Sequence, residues 1–126
     1  MKCLVRIERV NSIIEEEVTV LINNIELKCF AHYKNQYIEV GNKYYANIEY
    51  EIFDDVTIQK IEIKKRYIEN IKDGFSYIIY GKIDIEEKKI KSAIDINIDE
   101  FDIDVLSKFD KLYIKFKIDR FNIEFI

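Results

Sequence analysis

Apolar and charged residues alternate with a period of two along most of the chain, and this pattern constrains the fold more than any other feature. Successive side chains of a strand point to opposite faces, so alternation marks half-buried strands, whereas an amphipathic helix repeats near 3.6. The pattern predicts strands over 2–10, 17–22, 25–31, 44–53, 56–65, 75–85, 89–98, 111–118 and 121–126. Asn23-Asn24 separates the second from the third, and asparagine tolerates the positive φ that two-residue hairpin turns demand. That turn sets Val18, Val20 and Ile22 opposite Cys29, Leu27 and Ile25 on one face. Asp54-Asp55, Asp73-Gly74 and residues 86–88 are further turn signals.

Three irregularities interrupt the alternation. The apolar phase slips between Ile58 and Ile61, as a β-bulge would make it. Gly81 lies inside a strand pattern, which predicts a bend or a close backbone approach. The phase flips at Asp119-Arg120, which predicts a tight turn or a bulge. Residues 99–109 are the one helical segment: Phe101, Val105, Leu106 and Phe109 share a helical face, with Asp99 as N-cap.

These elements predict an all-β fold, an antiparallel barrel or sandwich of eight to nine strands with one short helix near 99–109. The 126 residues make one domain. The loop from Ala31 to Tyr44 divides it into an N-terminal extension of three strands, residues 1–31, and a core, residues 44–126. From Tyr44 onward the order is a long bulged strand, FSYIIYGKIDI (75–85), IKSAIDINI (90–98), the helix, and LYIKFKIDRFNIEF (112–125). Five strands with a helix between the third and fourth resembles the element order of the OB-fold. The resemblance rests on order alone, without a sequence motif, and implies a barrel within 44–126.

The segment MKCLVRIERV has Arg6, Glu8 and Arg9 where a signal peptide would be apolar. No run approaches the roughly 18 apolar residues of a membrane span. A cytoplasmic protein without a membrane partner is expected, with Cys3 and Cys29 as free thiols. Abundant Ile, Lys, Asn, Tyr and Phe, all with AT-rich codons, point to a bacterial source.

Chemistry is sparse. The single histidine, His32, has neither Ser nor Cys in its flanking loop, and Ser12, Ser76, Ser92 and Ser107 are scattered, so no nucleophile–base pair is marked. Cys3, Cys29 and His32 give too few ligands for a zinc site, and no C-x-x-C occurs. Asp95, Asn97 and Asp99 have the spacing that opens an EF-hand loop, but Glu100 and Leu106 stand where glycine and glutamate are required. With only Gly41, Gly74 and Gly81, there is no phosphate loop. No catalytic residue, metal or cofactor is expected.

Binding remains. The first expectation is an unidentified protein partner met by the loop HYKNQY, with His32, Tyr33 and Tyr37 as contact residues, because tyrosines are enriched at interface hot spots. The chain is similar to immunity proteins in size, mild acidity and lack of chemistry. The alternative is a single-stranded nucleic acid held by Lys111, Tyr113, Lys115 and Lys117, aided by the basic run Lys64-Lys65-Arg66-Tyr67. The net charge of −4 speaks against that alternative. So does the prospect that Glu49, Glu51, Asp84, Asp95 and Asp99 pair with these lysines across strands.

Overall fold

The computed structural model describes residues 1–32, 38–99 and 101–126. Among them are eleven strands: β1 (Lys2–Val10), β2 (Glu17–Ile22), β3 (Ile25–Phe30), β4 (Lys43–Glu51), β5 (Gln59–Lys60), β6 (Tyr67–Asn70), β7 (Tyr77–Asp84), β8 (Lys89–Lys91), β9 (Asp95–Asn97), β10 (Tyr113–Ile118) and β11 (Arg120–Phe125). One short helix, α1 (Ile103–Ser107), lies between β9 and β10. The protein is therefore all-β, as the alternation requires.

The strands form two units. A closed barrel runs β1-β2-β3-β11-β4 and back to β1. A second sheet has the order β5-β10-β7-β8-β9, with β6 also paired to β7. The β2–β3 hairpin has the register set by its turn: Val18 faces Cys29, Val20 faces Leu27 and Ile22 faces Ile25. Asn23 and Asn24 both take positive φ, 47° and 66°, the backbone of a type I′ turn. Val18, Val20, Leu27 and Cys29 are all buried.

The closed barrel does not arise from residues 44–126 alone. The three strands read as an N-terminal extension supply β1, β2 and β3 of it, and of the later strands only β4 and β11 take part. The segments 75–85, 90–98 and 112–118 lie in the second sheet, which is inserted in the chain between β4 and β11. The phase flip at Asp119-Arg120 is the crossing from one sheet to the other: Ile118 is buried in the second and Phe121 in the barrel. One pairing is parallel, β11 on β3 through Phe121 with Cys29 and Asn122 with Phe30. This departs from antiparallel pairing because β11 arrives from the second sheet and not through a hairpin with β3.

Other expectations need correction. The strand over 56–65 contracts to β5, which among the described residues has a neighbour on one side only, β10. The strand over 89–98 is a hairpin, β8 on β9, with Ile90 opposite Ile96. β6 was not predicted, because only Ile68 within it is buried and alternation cannot register over so few positions. The helix is shorter than 99–109, and its N-cap is Asp102, whose side chain accepts from the Asp104 N–H at 2.9 Å. Asp99 lies in the preceding turn, where Phe101 N–H bonds Ile98 O.

Gly81 has the close approach expected of it. A Cβ there would lie 2.6 Å from the carbonyl oxygen of Lys91. One apolar core runs through both units. Tyr50 of the barrel packs against Phe101 and Phe116, and its hydroxyl donates to Asn97 O at 3.0 Å.

Candidate functional site

β7 alternates without a slip: Tyr77, Ile79, Gly81 and Ile83 are buried, while Ile78, Tyr80 and Lys82 turn outward. β10 pairs with it in full register, so its outward Tyr113, Lys115 and Lys117 fall opposite Lys82, Tyr80 and Ile78. β6 adds Tyr67 beside Tyr80 and Glu69 beside Ile78. One sheet face thus carries three tyrosines interleaved with cations.

Lys65 and Arg66, in the segment just before β6, complete it. Lys65 Nζ lies 4.1 Å from the Tyr80 ring centroid and 5.4 Å from that of Tyr67. The Arg66 guanidinium and Lys82 Nζ each lie 5.9 Å from the Tyr113 ring, and Arg66 donates to the Tyr113 hydroxyl at 3.5 Å. Two segments that stand far apart in the sequence, 65–67 and 113–117, are therefore one surface. Cation–π contacts of this kind hold side chains in place by about 0.5–1 kcal/mol at exposed sites and leave the positive charge uncompensated.

The carboxylates expected to neutralise this face are elsewhere. Glu49 and Glu51 lie on the barrel, paired with the Met1 ammonium and with Arg120. Asp95 pairs with Lys89. Among the described residues only Asp84 pairs with a predicted nucleic-acid residue, Lys111, at 3.0 Å, and it also faces Lys91 at 3.7 Å. The Glu87 N–H and the Lys111 ammonium hold the Asp84 carboxyl below its usual range. Glu69, also on the face, accepts from the Tyr80 hydroxyl at 3.0 Å, and Lys117 lines a hollow with Asp54, Asp55 and Asp119. Lys65, Arg66, Lys82, Lys115 and Lys117 make no ion pair among the described residues.

The whole chain, residues 1–126, matches the model of a family described as Uncharacterised conserved protein UCP019853. The chain belongs to that family. No curated protein and no solved structure matches it.

A second polar cluster of this family member lies where the chain leaves and rejoins the barrel. Glu51 accepts from Asn122 at 2.6 Å and from Arg120 at 3.0 Å, and these bonds hold its carboxyl below the usual range. The Arg120 guanidinium lies 3.9 Å over Phe30 and 3.3 Å from His32 Nε2. His32 also lines a pocket of about 170 Å³ with Asn47, Glu49, Asn122 and Glu124, smaller than the roughly 300 Å³ at which small-molecule sites begin. Tyr33 and Tyr37, the other two residues of the predicted protein contact, lie outside the described residues.

Cys3 and Cys29 are both free, and burial pushes both thiols up, Cys29 the further. Cys29 is fully buried within the core, and Cys3 is half-buried and packed against it. Among the described residues no three of His, Cys, Asp and Glu gather to hold a metal ion, and no helix is long and apolar enough to cross a membrane.

Sequence reasoning named Tyr113, Lys115, Lys117 and the 64–67 run but missed Tyr80 and Lys82. Their signal was present in YIIYGKID as outward positions of a strand. What the sequence lacked was the pairing that sets them against β10.

Proposed function

We propose that the protein is a binding module, not an enzyme, and that it holds a polyanionic partner on the outer face of its second sheet. One observation supports this above the others: Lys65, Arg66, Lys82 and Lys115 gather around three tyrosines and make no ion pair among the described residues, and Lys117 continues the row toward Asp54, Asp55 and Asp119. Clustered like charge costs self-repulsion and is unnecessary for solubility in a chain already at net −4. A partner of opposite charge offsets that cost. The barrel, closed by five strands with the last in chain order lying between β3 and β4, is read as OB-like in form and serves as the mount.

Retention on immobilised heparin tests the reading. An acidic protein with evenly spread charge flows through at about 50 mM salt, where screening reaches beyond roughly 10 Å. This protein is expected to be retained and to elute as salt rises. Lys115→Glu with Lys117→Glu should abolish retention, while Lys2→Glu with Lys43→Glu on the barrel should not. Flow-through of the unaltered protein would refute the proposal.

A further inference from the structure

The face has more than charge, and its second component narrows the partner. Resting on the polyanion reading above, we infer that the occupant is a single-stranded nucleic acid, with bases on Tyr67, Tyr80 and Tyr113 and phosphates on the lysines between them. An acidic peptide would use the cations and leave the rings without a role. Single strands offer both components, phosphates for a basic track and flat bases for aromatic rings, whatever their sequence.

The geometry suits an extended strand. Tyr67 and Tyr80 are directly paired on adjacent strands, which lie about 4.8 Å apart. Tyr113 is one strand further across, diagonal to Tyr80 and opposite Lys82. The three rings thus mark an oblique line over β6, β7 and β10, with Lys115 beside it. Tyr67 is 50% exposed, open enough to take a base. The cations now over the rings are on flexible stems. When a base arrives, Lys65 can leave the Tyr80 ring for the adjoining phosphate, so the contact that orders the free face becomes a contact with the ligand.

Duplexes fit less well. Their bases are stacked inside, so the tyrosines would touch none of them, and a B-form major groove admits a helix or a two-stranded ribbon and not a sheet face of three strands.

Fluorescence anisotropy with labelled oligothymidine and oligouridine 20-mers tests the inference. At about 50 mM salt, one or both should bind with a Kd below about 100 µM, within the range of sequence-independent contacts. Affinity should fall about 20- to 100-fold between 50 and 200 mM salt, as three to five neutralised phosphates require. Tyr67→Ala should weaken binding about tenfold, and Tyr67→Phe should retain it. Lys115→Gln with Lys117→Gln should weaken it at least tenfold, with unchanged circular dichroism certifying the fold of each variant. A Kd above 100 µM for both oligomers overturns the inference. So does binding indifferent to Tyr67→Ala, or a 20-base-pair duplex that binds more tightly than either strand. Polyglutamate binding more tightly than both oligomers also overturns it, but leaves the polyanion reading standing. Loss of heparin retention sinks both.

Discussion

The barrel and the second sheet solve the same packing problem with opposite outer surfaces. Barrel charges are largely matched to one another: Arg9 meets Glu26 at 2.8 Å, Lys28 meets Glu17 at 3.7 Å and Arg120 meets Glu51 at 3.0 Å. On the second sheet Asp84 takes both Lys91 and Lys111 at one end, while on the β6-β7-β10 rows Glu69 bonds the Tyr80 hydroxyl and Lys65, Arg66, Lys82, Lys115 and Lys117 make no ion pair among the described residues. Exposed ion pairs are worth about 0–1 kcal/mol each, so stability does not account for the difference. The proposed polyanion site would account for it.

The sharpest way to break this comparison is to open the barrel. Phe121 is fully buried at the seam, packed on Tyr77 with ring centroids 5.3 Å apart. Phe121→Ala should cost about 3–5 kcal/mol in urea unfolding. The barrel hairpin should respond similarly: Leu27→Ala should cost about 2–5 kcal/mol, and a cost near zero would mean the register is different. In the second sheet, Gly81→Ala drives a methyl into the Lys91 carbonyl. It should cost about 1–3 kcal/mol, as overpacking does, and lower the melting temperature.

Acid titration sharpens the contrast at one residue in each unit. Asp84 and Glu51 are both held below their ordinary ranges, Asp84 first by the Glu87 amide and Glu51 first by the Asn122 amide. A carboxylate depressed on folding contributes stability above its unfolded pKa, about 3.9 for Asp and 4.3 for Glu. That contribution is lost as the pH falls through the lower folded value. Asp84→Asn should remove its share at neutral pH and flatten the acid limb of the stability curve, as read by urea midpoints from pH 7 to 2. The smallest effect should be at the proposed face. Lys115→Gln with Lys117→Gln should change stability by less than about 0.5 kcal/mol while abolishing polyanion binding. A large destabilisation would show that these lysines hold the fold and not a ligand.

The sequence made local features legible and left distant ones dark. The Asn23-Asn24 turn dictates the β2–β3 register because two residues leave the chain no other way to close. Gly81 and the flip at Asp119 were visible because each breaks a strong alternation. A barrel was legible as one of two possible forms, but not which strands close it, since its seams join β1 to β4 and β3 to β11 across long stretches of chain, and alternation says which face a residue takes but not which strand lies beside it. The helix start was misjudged because four aspartates, Asp95, Asp99, Asp102 and Asp104, compete for the cap and only tertiary packing chooses. The proposed face divides the same way. Tyr113, Lys115 and Lys117 could be read from one strand, whereas their union with Tyr80, Lys82 and Lys65 depends on β7 lying between β6 and β10.

The insertion of the second sheet between β4 and β11 also bears on how the molecule folds. Joining β11 to β4 through an unstructured segment spanning residues 52–119 would carry a loop-closure entropy of about 4 kcal/mol, from (3/2)RT ln n. In the folded protein the two ends of that segment meet: Asp119 N–H bonds Glu51 O at 2.9 Å, and Phe53 N–H bonds the Asp119 carboxylate at 2.7 Å. A second sheet that forms first therefore brings Glu51 and Arg120 together before the barrel closes, and β11 then docks across a short gap. This topology predicts barrel closure as a late event, after the local β1–β2–β3 meander and the inserted sheet have formed.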